Sequence, residues 1–129
     1  MVLSRVVVAD DLAPLLGTIA EQLEGSFDVV GLATNGRDAL EATLRLNPDL
    51  VLLDISMPGM NGIEVAEELK ARLHQSKIVF LTALEDPDIL AVCLASGALG
   101  YVVKSLLDSD LIPAMHDALA GRVFVSHLS

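Results

Sequence analysis

Five short apolar runs alternate along the chain with segments of helical periodicity. Each run is three to five residues long and has no regularly placed polar residue, a pattern typical of strands that are buried on both faces. The predicted strands are Val6–Ala9, Val29–Ala33, Leu50–Leu53, Ile78–Leu81 and Tyr101–Val103.

The segments that follow these runs have apolar residues every three or four positions, which predicts amphipathic helices. The predicted helices are Leu12–Leu23, Gly36–Asn47, Ile63–Leu73, Pro87–Ser96 and Ser109–Ala120. Five strand–helix units favour an α/β domain of the (βα)5, flavodoxin-like type. We therefore predict a five-stranded parallel sheet in the order 2-1-3-4-5, with helices on both faces.

Length, charge and cysteine content narrow the class of protein. A chain of 129 residues suits one domain, and its net charge of −10 repels nucleic acid. The longest uncharged run, Ile89–Val103, is shorter than the roughly 20 residues of a membrane span, and the N-terminal segment has no signal-peptide pattern. The one cysteine, Cys93, fits a reducing compartment. We expect a cytoplasmic domain that binds neither nucleic acid nor a membrane directly.

Polar residues stand at the ends of four predicted strands. Asp10 and Asp11 follow the first strand, Asp54 the third, Thr82 the fourth and Lys104 the fifth. In open α/β sheets, ligands bind at the carboxyl ends of the strands, beside the point where the strand order reverses. Each residue alone is commonly a helix cap or a turn residue, but the four strand ends together predict one site.

The residue types at this edge favour a divalent cation and phosphoryl chemistry. Two carboxylates ~4 Å apart repel by roughly 4 kcal/mol at an effective dielectric constant of about 20, so either a carboxyl pKa rises or a cation binds. Oxygen ligands favour Mg²⁺, with Mn²⁺ as an alternative, and an aspartate beside such a cation can accept a phosphoryl group. The loop after Asp54 contains Gly59 and Gly62, whose tight turns can present the Ser56 backbone carbonyl to the metal.

With these motifs the chain resembles the receiver domain of bacterial two-component response regulators, which has the CheY-like fold. The resemblance rests on the acidic pair Asp10–Asp11, on "DISMPGMNG" with its D-x-x-M-P-x-x-x-G spacing, on "LTA" at 81–83 and on "GYVVKS" at 100–105. It covers Val2 to about Ser126. We therefore expect residues 1–126 to be a receiver domain and residues 127–129 to begin a linker.

The resemblance implies a role for each acidic residue. Asp54 would be the phosphorylated residue, which takes the phosphoryl group from a histidine kinase or from a small donor such as acetyl phosphate. Asp11 would bind Mg²⁺ directly and Asp10 mostly through water. Asp54 itself and the backbone carbonyl of Ser56 would complete the protein's share of the metal ligands.

The resemblance also implies roles for the residues opposite. Thr82 would bind a phosphoryl oxygen and Lys104 would pair with the phosphoryl group, so that the catalytic set is Asp54, Thr82 and Lys104. Tyr101 would be a switch residue that swings inward when Thr82 moves, and an ordinary half-buried strand tyrosine is the alternative. Ser105 stands where many receivers have proline, so a cis peptide bond after Lys104 is not implied.

The implied partners are a sensor histidine kinase and, on phosphorylation, a second copy of the chain. "KS" at 104–105 and the ending "AGRVFVS" resemble the branch whose receiver precedes a helix-turn-helix domain. The protein's own C-terminal DNA-binding domain, outside this chain, would then regulate transcription. The receiver would be a signalling phosphoacceptor and not an enzyme, although it would assist its own phosphorylation and dephosphorylation.

Three alternative functions stay open at this point. A stand-alone receiver would act by protein–protein contact, and a pure scaffold would never accept phosphate. A haloacid-dehalogenase-type phosphatase also combines Asp, Thr, Lys and Mg²⁺, but its nucleophile lies on the first strand in a D-x-D pattern. Here Asp54 follows the third predicted strand.

Overall fold

A single parallel sheet with helices on both faces forms the domain. The computed structural model describes residues 2–83 and 85–127. Its strands are β1 (Arg5–Ala9), β2 (Asp28–Ala33), β3 (Leu50–Asp54), β4 (Lys77–Thr82), β5 (Gly100–Val103) and β6 (Phe124–Val125). Its helices are α1 (Ala13–Leu23), α2 (Gly36–Leu46), α3 (Gly62–Ala71), α4 (Pro87–Ala95) and α5 (Leu107–Leu119).

The strand order is β2-β1-β3-β4-β5-β6, and every neighbouring pair is parallel. The predicted α/β flavodoxin-like class and the order of the first five strands are confirmed. The predicted number of strands is wrong, because Phe124 and Val125 add a sixth strand beside β5. A strand of two residues is too short to show a period, and only the apolar character of Val123–Val125 indicated that this segment packs on the domain.

Alternate residues of the central strands face two separate cores. Val6 and Val8 of β1 pack with Ile19 of α1 and with the buried face of α5. Val7 and Ala9 point the other way and belong to the second core, to which α2, α3 and α4 also contribute buried residues. Since β1 and β3 are covered on both faces, their side chains reach solvent only at the strand ends, which is where polar residues begin.

Helix boundaries agree with the sequence patterns to within two residues. Asn61 caps α3 in a capping box, since its side chain accepts from Glu64 N and Glu64 accepts from Asn61 N. α5 begins at Leu107, two residues before the prediction, because a 3₁₀ turn over Lys104–Leu106 leads directly into it. Among the described residues, no helix has the length and apolar character needed to cross a membrane.

Candidate functional site

Three charged side chains meet at the carboxyl edge of the sheet. Asp10 follows β1 and Asp54 ends β3, and the two strands are neighbours in register, with Ala9 opposite Leu53. Lys104 follows β5 and reaches across β4, so that its Nζ lies 2.7 Å from Asp10 Oδ2 and 3.3 Å from Asp54 Oδ2. Asp10 and Asp54 are both buried, at 0% and 3% exposed. The predicted juxtaposition of these residues is present in the structure.

Asp11 completes a cluster of carboxylates that can hold a metal ion. One carboxylate oxygen from each of Asp10, Asp11 and Asp54 lies within 4.8 Å of the others, and Asp11 is exposed to solvent. Asp10 Oδ1 accepts from Leu12 N at 2.9 Å, but the buried Oδ2 has only the ion pair with Lys104 and accepts no hydrogen bond from the described residues. Hard oxygen ligands with such an unsatisfied buried atom fit a divalent cation such as Mg²⁺.

The electrostatics of the cluster are set by burial and by its excess of negative charge. Burial, followed by the charge of Asp10, raises the pKa of Asp54 from 3.8 to about 6, against the opposing effect of Lys104 and the Ser56 backbone hydrogen bond. Burial would lower the pKa of Lys104, but its close ion pair with Asp10 and the charge of Asp54 outweigh that effect and raise the pKa. Lys104 is therefore a firmly protonated cation beside a carboxylate that is costly to ionise.

The loop between β3 and α3 is held close to Asp54 by two glycines. Gly62 N donates to Ile55 O at 2.9 Å, and a Cβ at Gly62 would lie 2.2 Å from the Asp54 carbonyl oxygen. At the other side, a Cβ at Gly36 would lie 1.8 Å from the Met60 carbonyl oxygen. Backbone therefore packs directly on backbone at both ends of the loop. The exposed residue Ser56 lies in this loop, and its carbonyl as a metal ligand stays a prediction.

The two predicted switch residues contact each other. Thr82 ends β4 and Tyr101 lies on β5, and each is 2% exposed. The Tyr101 phenol is hydrogen-bonded to the Thr82 side chain and to the Asp86 backbone, and burial raises the pKa of that phenol. Tyr101 is thus fully inward, not half-buried, and its ring lines a cleft of 220 Å³ together with Pro87 and Leu90 of α4.

Sequence reasoning missed one group of contacts beside the site. Ser126, directly after β6, hydrogen-bonds through its side chain to Asp110 of α5 and to the backbone of Val103. Neither Ser126 nor Asp110 stands at a strand end of the predicted sheet. Their pairing depends on β6, for which the sequence has no periodic signal.

Comparison with known families assigns this architecture. A model of the response regulator receiver domain family matches residues 6–116 of the chain. The chain belongs to this family. The expectation of a receiver domain is therefore confirmed, and receiver domains of this family are signalling phosphoacceptors.

Curated relatives of this receiver domain are longer proteins. The nitrate/nitrite response regulator protein NarL of Escherichia coli K12 is 36% identical over 126 residues, which cover 95% of this chain and 58% of that protein. The transcriptional regulatory protein YvfU of Bacillus subtilis is 38% identical over 97% of this chain and 64% of its own length. The receiver domain thus spans about six-tenths of the length of these relatives.

Solved structures agree with this assignment. The signal receiver domain of the response regulator NarL from Mycobacterium tuberculosis is 34% identical, with a TM-score of 0.88 over 95% of this chain and 100% of that one. The isolated receiver domain of RcsB from Salmonella enterica, solved with the phosphoryl mimic BeF₃⁻, is 27% identical, with a TM-score of 0.88 over 97% and 94% of the two chains. The similarity extends over essentially the whole receiver domain.

Proposed function

We propose that this receiver domain is switched by Mg²⁺-dependent phosphorylation of Asp54. The observation that carries the proposal is the position of Asp54, which lies 3.3 Å from the Lys104 ammonium and within 4.8 Å of the carboxylates of Asp10 and Asp11. A carboxylate with a fixed cation on one side and further oxygen ligands for a divalent cation on the other is suited to accept a phosphoryl group.

In the proposed reaction, an Asp54 carboxylate oxygen attacks the phosphorus atom of a phosphorylated histidine or of acetyl phosphate. The new O–P bond makes an acyl phosphate, and the bond from phosphorus to the donor breaks, so that the donor leaves with its electron pair. Lys104 turns its ammonium from Asp10 to the transferred group, and the Thr82 hydroxyl donates to one of its oxygens. Asp10, Asp11, Asp54 and the Ser56 carbonyl would hold Mg²⁺, which would supply positive charge that offsets the carboxylate and phosphoryl charges.

Thr82 links the phosphoryl group to Tyr101. A threonine hydroxyl has one proton to donate, so a Thr82 that donates to the phosphoryl group changes its hydrogen bond with Tyr101. The Tyr101 ring, the adjoining cleft and the N-terminal turn of α4 then adjust together. We infer a two-state equilibrium in which phosphorylation stabilises the active surface around α4, β5 and α5.

The wider biological role follows from the relatives. NarL of Escherichia coli is a response regulator and YvfU is a transcriptional regulatory protein, and each extends beyond the aligned receiver. We infer that a sensor histidine kinase in the cytoplasm phosphorylates the domain. We further infer that residues 1–126 form the receiver and that 127–129, of which 128 and 129 lie outside the described residues, begin a linker to a DNA-binding domain, with homodimerisation as the phosphorylation-dependent step. The receiver assists its own phosphorylation and dephosphorylation without acting as an enzyme on other substrates.

The function is tested by incubating the protein with acetyl phosphate and Mg²⁺ and counting phosphoryl groups by intact mass. We expect one phosphoryl group per chain, removed by hydroxylamine as acyl phosphates are, and absent when EDTA is present. Steady release of phosphate from a simple ester such as p-nitrophenyl phosphate would favour the phosphatase alternative. A chain that never acquires the phosphoryl mass would favour the scaffold alternative.

A further inference from the structure

The short strand β6 is bonded to the domain by side-chain hydrogen bonds as well as by the main-chain hydrogen bonds that join it to β5. Phe124 N donates to Leu99 O at 2.8 Å, and Ser126 N donates to Tyr101 O at 2.9 Å, so that main-chain bonds bracket the strand. A two-residue edge strand held only by such bonds frays readily. The side chain of Ser126 adds further contacts.

The Ser126 hydroxyl joins three elements of the fold. It donates to Asp110 Oδ2 of α5 at 2.6 Å and accepts from Val103 N of β5 at 3.1 Å. Ser126 itself is 9% exposed, so these bonds form in a largely desolvated position. Because Val103 N is buried there, loss of the Ser126 oxygen would leave that donor without its partner, which destabilises this arrangement.

The residues held by Ser126 lie on β5, directly before Lys104 of the proposed site. Ser126 N bonds the carbonyl of Tyr101, and Ser126 Oγ bonds the amide of Val103, which directly precedes Lys104. The cleft beside the Tyr101 ring is closed on one side by Val125 and Ser126. The backbone of β5 from Tyr101 to Val103, directly before Lys104, is thus bonded to one residue of the C-terminal segment.

We propose that Ser126, oriented by Asp110, is a positioning residue that holds Tyr101 inward and sets the start of the Lys104 turn. Its link to phosphorylation rests on the proposed function. Because energetic coupling is reciprocal, docking of β6 and burial of Tyr101 stabilise each other. A conformational change at Tyr101 therefore alters the stability of the β6 docking that precedes His127, and undocking of β6 alters the burial of Tyr101.

Tyr101 makes the positioning step directly measurable. It is the chain's one tyrosine, and the chain has no tryptophan, so near-ultraviolet-excited fluorescence reports on this ring. We would compare wild type with Ser126→Ala, Ser126→Thr and Ser109→Ala. Ser109 is a matched control, because its exposed hydroxyl also bonds Asp110, at Oδ1, but it is not among the contacts that fasten β6.

Ser126→Ala should raise the acrylamide quenching constant of Tyr101 at least about twofold, because a buried ring gains solvent access in the opened state. Amide exchange at residues 103 and 124–126 should quicken by about two- to tenfold, the ratio expected for loss of one hydrogen bond. Ser126→Thr, which keeps the hydroxyl, and Ser109→Ala should behave as wild type. Faster exchange in β6 with unchanged quenching of Tyr101 would overturn the proposal, as would no change in either.

Beryllofluoride with Mg²⁺ separates this proposal from the proposed function. In wild type the phosphoryl mimic should change both Tyr101 quenching and β6 exchange, and in Ser126→Ala the β6 response should be smaller. A Tyr101 response without any change in β6 exchange of the wild type would overturn the coupling to the C-terminal segment while leaving phosphorylation intact. No response of Tyr101 in wild type, together with a normal Ser126→Ala effect, would instead refute the proposed switch and retain Ser126 as a positioning residue.

Discussion

Thr82 and Tyr101 are hydrogen-bonded to each other below the carboxyl edge of the sheet, and both are 2% exposed. The bond joins the end of β4 to the middle of β5. It places the residue expected to sense the phosphoryl group in contact with the residue expected to change the surface. A rearrangement of Thr82 toward Asp54 therefore cannot leave Tyr101 unaffected.

Thr82→Ala should accept phosphate yet respond weakly to it. The variant keeps Asp54, Lys104 and the carboxylates but has no hydroxyl to pull toward the phosphoryl group. Moving a population from 1:99 to 99:1 takes about 5.5 kcal/mol of differential stabilisation, of which the Thr82 hydrogen bond would be one part. Amide exchange over residues 87–120, with and without beryllofluoride, measures the response. Thr82→Ser is the control that should retain it, and an undiminished response in Thr82→Ala would refute the coupling.

Asp54 should make the metal-free protein less stable as pH rises. Its pKa of about 6 in the folded protein lies above the ordinary 3.8, so the folded state binds more protons than the unfolded state between these values. This contribution is fully present below about pH 4 and is lost as pH rises through 6, at a cost of up to about 3 kcal/mol.

Urea unfolding in EDTA at pH 4.5 and pH 7.5 measures this effect as a difference between wild type and Asp54→Asn. The asparagine variant should gain stability relative to wild type at the higher pH, because it lacks the carboxylate that must ionise. Mg²⁺ at pH 7.5 should stabilise wild type and reduce the difference in unfolding free energy between the two proteins. An equal difference between the two proteins at both pH values would contradict the assignment.

Mg²⁺ binding should depend more on Asp11 than on Asp10. Asp11 is exposed and free to bind the ion directly, whereas Asp10 is buried and paired with Lys104. Asp11→Ala should abolish the rise in melting temperature caused by Mg²⁺, and Asp10→Ala should leave part of it. Asp28→Ala, at the opposite end of the sheet where β2 begins, is the matched control that should keep the full rise. Identical losses in the Asp10 and Asp11 variants would refute the distinction.

Most of the site was predictable because strand ends are visible in the sequence. Asp10, Asp54, Thr82 and Lys104 directly follow or end apolar runs, and a parallel sheet brings such positions to one edge. The inward position of Tyr101 was not predictable, since a tyrosine on a strand can face either a core or solvent. It depends on partners from two other segments, the end of β4 and the turn before α4.

The sixth strand and the position of the β3–α3 loop could not be predicted from the sequence for a different reason. Both depend on backbone contacts between segments far apart in the chain. Nothing local to Gly36 indicates that its α-carbon lies against the carbonyl of Met60. Likewise, nothing near Ser126 indicates that α5 offers it a carboxylate from Asp110.

Gly36→Ala should weaken Mg²⁺ binding without altering any charged residue. Its new Cβ would lie 1.8 Å from the Met60 carbonyl oxygen, so the loop that carries Ser56 must move outward. We expect a loss of about 1–3 kcal/mol of stability, as for other overpacked sites, and a lower Mg²⁺ affinity by titration of the folded protein. Gly17→Ala in α1 is the control, because a Cβ at Gly17 meets nothing within 4 Å. This substitution should stabilise the protein by ~0.5–1 kcal/mol, since alanine is a better helix former than glycine. Unchanged Mg²⁺ affinity in folded Gly36→Ala would show that the loop position does not matter to the site.

Mass measurement of the phosphorylated protein tests most directly whether Asp54 is the phosphorylated residue. Wild type, Asp54→Asn and Asp28→Asn are each incubated with acetyl phosphate and Mg²⁺, and their intact masses are measured. Wild type and Asp28→Asn should each gain one hydroxylamine-labile phosphoryl group, and Asp54→Asn should gain none. A phosphoryl group on Asp54→Asn, in the same yield as on wild type, would contradict the assignment of Asp54 as the phosphoacceptor.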